Sequence, residues 1–158
     1  HMLFHAIMKI CLFFCVGVVM EKTHKEFVYQ IEGFGKKMPV TFTCFTIGAC
    51  ALSGIPLFAG FVSKATLGNA AVAQSSIFSL IVVMSLLLSA ILTAAYTFEI
   101  SIKAFIPHIG FNNHRLDGKK DPEWMMKTPL LVLSALMIVF GIWAGPIMAF
   151  FTQVANGL

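Results

Sequence analysis

The stretch from Thr41 to Asn69 constrains the fold most, because it is apolar for long enough to cross a bilayer and yet is interrupted near its middle. The interruption is Ser53-Gly54-Ile55-Pro56, where proline lacks a backbone N–H and glycine leaves the opened backbone unshielded. Lys64 follows about two helical turns later. Opened backbone and a charge both need protein or water partners in lipid, so we expect a broken span beside a polar path. A proline kink without function is the alternative.

Composition assigns the chain to the membrane. Of its 158 residues, 58% are hydrophobic and 11% are charged, whereas a soluble domain is about half apolar and a quarter charged. We therefore predict an all-α fold, an integral membrane helix bundle.

The net charge of +4 does not indicate nucleic acid, because the basic residues are spread along the chain. The four cysteines form no C-x-x-C pair and are predicted to be small buried side chains: Cys11, Cys15, Cys44 and Cys50.

Apolar runs predict four transmembrane spans, at about 1–20, 40–72, 76–104 and 129–151. The second span is the one broken at Ser53–Pro56. Pro39 suits the first position of a helix, and Glu99 and Lys103 are spaced for a salt bridge on one helix face.

The basic residues predict the orientation of these spans. Nine of the eleven lie in or beside the loops 21–38 and 105–128, and the other two are Lys9 and Lys64. If the broken segment crosses once, both loops lie on one side, which the positive-inside rule makes the cytoplasm. A re-entrant hairpin over 41–69 would place the loops on opposite faces, so the charges favour four spans.

A row of polar residues runs along the first span. His1, His5 and Lys9 are each four apart, so they stack on one face of an otherwise apolar helix. Histidine titrates near neutral pH, and desolvation disfavours the charged form of an amine, so such a row could pass protons along water molecules. The alternative is a helix end near water with Lys9 reaching the interface, although Lys9 lies near mid-span.

Other chemistries have weaker support in the sequence. His1 and His5 have the H-x-x-x-H spacing of a metal site, but no third ligand accompanies them, so we predict no metal and no cofactor. No nucleophile–base arrangement or phosphate-binding glycine loop is present, so we place no catalytic centre in this chain.

Three motifs carry a family resemblance. They are H-x-x-x-H-A-x-x-K-x-x-L-F at His1–Phe13, G-F-G-K-K-M-P at Gly33–Pro39 and A-L-S-G-I-P-L-F-A-G-F-V-S-K at Ala51–Lys64. Together they resemble the antiporter-like subunits of respiratory complex I, a family that includes Mrp-type sodium/proton antiporters and membrane-bound hydrogenase subunits. The similarity is strong over the first 65 or so residues and continues more weakly to about Phe105.

The resemblance implies a position in a larger architecture. Those subunits contain two inverted helix repeats, each with one broken helix. Residues 1–158 would form a single membrane domain, the later part of the second repeat plus one further span, so we expect a fragment. Lys9, His5 and His1 match the family's central proton path, and Lys64 matches the lysine on the second broken helix, where protons exchange with the outer side.

A lysine rather than a glutamate at position 64 makes the chain more similar to the distal, L-type subunit and the large Mrp subunit than to the M-type. The L-type usually continues with acidic residues, whereas Ala65 and Thr66 follow here, and its long lateral helix is absent from a chain that ends at Leu158.

We therefore expect proton translocation by an antiporter-like subunit of a redox-driven, NADH:quinone oxidoreductase-like complex, with no cofactor in this chain and redox chemistry in its partners. The expected partners are other membrane subunits, protons (or sodium) and the lipid bilayer. The expected location is a bacterial or archaeal cell membrane rather than the inner mitochondrial membrane. The alternatives are an Mrp-type antiporter subunit, a membrane-bound hydrogenase subunit and, from another class, a purely structural membrane subunit.

Overall fold

A computed structural model describes residues 1–25, 27–73, 77–106, 121–155 and 157. Within those ranges it contains six α-helices: α1 Met2–Thr23, α2 Pro39–Ser53, α3 Ala59–Ala73, α4 Ile77–Phe105, α5 Trp124–Ile142 and α6 Ala144–Ala155. Two 3₁₀ turns, Val28–Gln30 and Phe34–Lys36, lie between α1 and α2. The described ranges contain no β-strand, and the all-α prediction is confirmed.

Three of these helices, α1, α4 and α5, are long and apolar enough to cross a membrane. The helices α2 and α3 have 15 residues each, which is about 22 Å and shorter than the roughly 30 Å hydrocarbon core. They follow one another along the chain and together make up the predicted second span. The predicted spans 1–20 and 76–104 correspond to α1 and α4 within a few residues, and residue 76 lies outside the described ranges.

The interruption between α2 and α3 begins where the sequence predicts it and extends further. The last residue of α2 is Ser53 and the first of α3 is Ala59, so residues 54–58, here called the link, are non-helical. The link continues two residues past Pro56. Leu57 accounts for this extension, because its φ of 82° lies in the left-handed region and cannot belong to a right-handed helix.

The fourth predicted span differs from the structure at both ends. Its helix α5 begins at Trp124, so Pro129 lies inside the helix rather than at its start. The helix stops at Ile142, and α6 begins after Trp143. Pro146 explains the stop, because a proline ring in a continuous helix would clash with the carbonyl four residues earlier, which is that of Ile142.

The core lies between α1, α2 and α5. Its most buried side chains include Met8 on α1, Phe42 on α2 and Leu130 on α5. The cysteine prediction is confirmed, since Cys11, Cys15 and Cys44 are buried free thiols and Cys50 is half-buried. Most of α4 is exposed, which fits a helix that faces lipid or another subunit.

The first predicted basic loop packs against the C-terminal end of α4, where the second predicted loop begins. The backbone N–H of Gly33 donates to the carbonyl of Lys103 at 3.1 Å, and a Cβ at Gly35 would lie 2.8 Å from the Phe105 ring. The predicted pair Glu99–Lys103 is present, with its charged atoms 2.6 Å apart. The segment 107–120, with its predicted turns and three of the basic residues, lies outside the described ranges.

Asp121 joins the second of these loops to α2. Its carboxylate accepts hydrogen bonds from the backbone N–H groups of Val40 and Thr41 at 3.2 and 3.3 Å and from the Thr41 hydroxyl at 3.2 Å. These N–H groups belong to the first turn of α2, where helices leave donors unsatisfied and where the dipole favours a negative charge. Asp121 therefore caps a helix that begins 82 residues before it.

Replacing this cap should lower stability. For Asp121→Ala we expect a loss of about 1–2 kcal/mol, because two helix N–H groups and a buried hydroxyl lose a charged acceptor. Thermal unfolding of the chain in detergent or nanodiscs measures it. Glu123→Ala is the matched control, since Glu123 precedes α5 without a side-chain cap and should change little. Equal losses in both variants would contradict the capping role.

Candidate functional site

The C-terminal end of α2 is closed by backbone hydrogen bonds of the link. Gly54 has a φ of 87°, and its N–H donates to the Ala51 carbonyl at 3.2 Å. The N–H of Ile55 donates to the Cys50 carbonyl at 3.1 Å. This pair of bonds is the Schellman arrangement that glycine permits at a helix end. It satisfies two of the four carbonyls that an α-helix leaves free at its C-terminus.

Lys64 satisfies the other two carbonyls. Its ammonium Nζ donates to the carbonyl of Leu52 at 2.8 Å and lies 3.3 Å from that of Ser53. The lysine stem passes over Gly54, where an added Cβ would lie 3.2 Å from the Lys64 Cδ. A positive charge at this point also interacts favourably with the negative end of the helix dipole. The predicted break residues and the predicted buried lysine thus form one structure, here called the Lys64 cap.

The Lys64 cap faces a partly open cavity of about 230 Å³ between the link, α3 and α4. Lys64 and Ser53 contribute its polar atoms, and side chains such as Phe61 and Leu87 make the rest of its wall apolar. A water molecule occupies roughly 30 Å³ of liquid, so the cavity has room for several. The Lys64 amine therefore has both protein acceptors and space for water beside it.

The row His1, His5 and Lys9 lies on α1 and reaches α3 at its first member. The His1 Nδ1 is hydrogen-bonded to the hydroxyl of Ser63, a buried residue that directly precedes Lys64. The His1 and His5 rings lie 5.6 Å apart between centroids. His1 thus brings the first member of this row into contact with the broken span.

Lys9 lies apart from the Lys64 cap. Its side chain is half-buried, and its Nζ is 5.9 Å from the centroid of the Phe13 ring. Among the described residues it has no hydrogen bond or ion pair. It lines a second cavity, of about 140 Å³ between α1, α2 and α4, to which Tyr96 and Thr97 also contribute hydroxyl-bearing side chains.

Several polar residues at this site could not be identified from the sequence. Ser63 is the partner of His1, and the Thr46 hydroxyl on α2 lies 3.2 Å from the Ser101 hydroxyl on α4. Serine and threonine in a helix usually bond their own preceding turn, as Thr97 does with the Thr93 carbonyl at 2.7 Å. Their composition alone therefore carries no signal of a contact between helices.

The alternative of a metal site at His1 and His5 has no support among the described residues. They contain no group of three or more histidine, cysteine, aspartate or glutamate side chains that could hold a metal ion. The H-x-x-x-H spacing places two imidazoles on one face, but His1 bonds to a serine hydroxyl instead. The arrangement can hold, accept and release protons at an amine and two imidazoles.

Comparison with known proteins relates the chain to one family. A family model described as "NADH:quinone oxidoreductase/Mrp antiporter, TM" matches residues 1–93. NADH-quinone oxidoreductase subunit L of Rickettsia bellii is 32% identical over 135 residues, which are 85% of this chain and 20% of that protein. Na(+)/H(+) antiporter subunit A1 of Staphylococcus haemolyticus is 35% identical over 155 residues, 92% of this chain and 19% of that protein. The chain thus spans about a fifth of the length of these relatives.

A solved structure shares the fold. The Mrp complex from Dietzia sp. DQ12-45-1b contains a chain that matches 92% of this one, with a TM-score of 0.75 and 22% identity, over 34% of its own length. At that level of identity the match supports the arrangement of helices alone.

Proposed function

Because the chain belongs to the membrane-subunit family of NADH:quinone oxidoreductases and Mrp antiporters, we propose that it translocates protons as the antiporter-like subunit of a redox-driven, NADH:quinone oxidoreductase-like complex. The observation that carries the proposal is the Lys64 cap. Among the described residues, Lys64 is the lysine that both satisfies a helix end inside an apolar segment and borders a cavity with room for water.

The proposed step is a proton exchange at Lys64. When the ammonium is protonated, it holds the carbonyls of Leu52 and Ser53 and compensates the negative end of the α2 dipole. When it gives a proton to water in the cavity, the remaining neutral amine loses that charge interaction. Protonation of Lys64 is therefore coupled to the stability of the break, which would connect proton release with movement of α3.

The imidazoles provide the route to this lysine. A neutral imidazole accepts a proton at one nitrogen and donates one from the other, and rotation of the ring then restores the starting tautomer for the next proton. In the proposed path, protons reach Lys64 from Lys9 through His5, His1 and the Ser63 hydroxyl, with water between the groups that are not in contact. Lys9 would be the inner member, since it lies further along α1 towards the loop 21–38 than the two histidines do.

The same proposal includes the surroundings of the chain. We place residues 1–158 as the later part of the second inverted repeat of a longer subunit plus one further span. The loops 21–38 and 105–128 would face the cytoplasm of a bacterial or archaeal cell. The partners would be other membrane subunits, consistent with the names of the relatives as subunits.

Removing the inner lysine tests this path. For Lys9→Ala in the assembled complex we expect coupled proton uptake to fall to background, because the relay loses its only amine on α1, while assembly persists. Quenching of a pH-sensitive acridine dye in inverted vesicles measures the uptake, and native gels measure assembly.

The matched control is Lys103→Ala, which removes a lysine whose charge is paired with Glu99 near the C-terminal end of α4. It should pump normally. Unchanged pumping by both Lys9→Ala and Lys64→Ala would refute the proposed proton path and favour a purely structural role for the subunit.

A second candidate is an Mrp-type sodium/proton antiporter subunit, favoured by the 35% identity to antiporter subunit A1 over 92% of this chain. A membrane-bound hydrogenase subunit is a further variant of the same role. Proton movement that depends on an imposed sodium gradient and not on NADH would favour the hypothesis of an Mrp-type antiporter subunit.

A further inference from the structure

The link between α2 and α3 is held from outside by a glycine of another helix. Gly141 lies near the end of α5 against the link backbone, so that a Cβ added there would fall 2.5 Å from the Phe58 Cα and 2.6 Å from the Leu57 carbonyl carbon. Real Cβ atoms essentially never come within 3.0 Å of such atoms. Both are backbone atoms, so no side-chain rotation could relieve the overlap.

A second glycine holds the start of α3 against α2. A Cβ added at Gly60 would lie 2.8 Å from the Ala51 carbonyl carbon and 3.1 Å from the Met8 sulfur. Gly60 is in the first turn of α3, and Ala51 is in the last turn of α2. The start of α3 is therefore packed closely on two sides. Gly60 contacts α2, and the link residues directly before α3 contact Gly141 of α5.

The conformation of the link is not one that its own residues favour. Leu57 adopts a φ of 82°, which side chains other than glycine rarely tolerate, and its side chain is 73% exposed and so gains little from packing. A strained backbone persists where the surroundings determine it. The contacts of Gly141 with Leu57 and Phe58 supply such surroundings.

We propose that Gly141 and Gly60 are positioning residues that set the place of the Lys64 amine at the end of α2. Lys64 is five residues into α3, so the start of α3 decides whether its Nζ reaches the Leu52 carbonyl at 2.8 Å. Making room for a methyl group at either glycine requires a shift of roughly 1 Å, which takes this distance beyond hydrogen-bonding range. The consequence for proton transfer rests on the proposed function, whereas the position of the amine does not.

The test measures how readily each lysine amine reacts. Wild-type chain in nanodiscs is treated with a small membrane-permeable acylating reagent, and peptide mass spectrometry follows modification of Lys64 with Lys9 as a reference in the same molecule. In Gly141→Ala and in Gly60→Ala we expect Lys64 to react about tenfold faster, the effect of losing one hydrogen bond to a charged group. Lys9 should react at its wild-type rate.

The matched control is Gly17→Ala, a substitution inside α1 at a glycine with nothing within 4 Å of an added Cβ. It should leave both rates unchanged, although it raises helix propensity as the other two do. Equal acceleration of Lys9 and Lys64 would overturn the proposal, because it would indicate general loosening.

If one of the two glycine variants does not fold, the other is sufficient for the test. Unchanged reactivity of Lys64 in a folded variant would overturn the proposal, and so would loss of folding in both, since the glycines would then be folding requirements. These outcomes are independent of pumping. A chain that shows the expected reactivities without proton translocation would refute the proposed function and keep the positioning role.

Discussion

Lys64→Ala should abolish proton translocation and also lower the stability of the chain. The substitution removes the donor that satisfies the Leu52 and Ser53 carbonyls. Ser53 borders a cavity that can admit water, so we expect a loss of about 1 kcal/mol rather than the full cost of buried unsatisfied groups. Thermal unfolding measures the loss of stability, and dye quenching in vesicles measures proton translocation.

Lys64→Arg separates the two roles of this residue. A guanidinium can donate to the same carbonyls and keeps its charge, so the helix end stays satisfied and stability should remain close to that of the wild type. It does not release its proton at physiological pH, so translocation should be as low as in Lys64→Ala. This separation is the expected signature of a group that both caps a helix and exchanges protons.

The contrary outcome is equally specific. If Lys64→Arg translocates protons at the wild-type rate, Lys64 acts through its charge or its cap alone, and proton exchange at the amine is excluded. Lys127→Ala serves as the control for removing a lysine, because the Lys127 amine lies against the Trp124 ring at the start of α5. It should affect neither measurement by more than a small amount.

Gly54→Ala should lower both stability and translocation. Gly54 has a φ of 87°, a conformation that costs an alanine roughly 1–2 kcal/mol. The added Cβ would also meet the Lys64 Cδ at 3.2 Å and displace the lysine from the carbonyls. We expect a melting temperature lower by about 2–6 °C and translocation reduced severalfold, less than in Lys64→Ala because the amine itself remains.

Gly157→Ala is the matched control for backbone strain. Gly157 has a similar φ of 80°, but an added Cβ there has no neighbour within 4 Å. The variant has a similar backbone strain but leaves the Lys64 contact intact, so we expect a comparable loss of stability and translocation close to that of the wild type. If both variants lost translocation to the same degree, strain alone would account for the result and the contact with Lys64 would be irrelevant.

The helices were largely predictable from the sequence, and their differences from the prediction have local causes. Long apolar runs with few charges identify α1 and α4 within a few residues of their observed ends. The helix α5 begins five residues before Pro129, where the predicted span starts, because a proline disfavours but does not forbid a helix on its N-terminal side. The link was predicted too short, since nothing in the side chain of Leu57 indicates a left-handed backbone.

The candidate site was predictable in its members and much less so in its contacts. Lys64, Lys9 and the two histidines are conspicuous because charges and imidazoles are costly in an apolar helix. The partners of these residues are ordinary: two backbone carbonyls for Lys64 and one serine hydroxyl for His1. Every helix carries such groups, so their selection cannot be inferred from residue type.

The interruption at residues 54–58 shows what each level decides. Local residues are enough to end α2 there, because a glycine able to adopt a positive φ and a proline without an N–H act on the adjacent backbone through local sterics. The other features depend on the packing of the helices: Lys64 completes the helix end, Asp121 caps the other end of α2, and Gly141 supports the link. Those contacts join residues distant in the chain, and their formation depends on how closely α2, α3 and α5 pack.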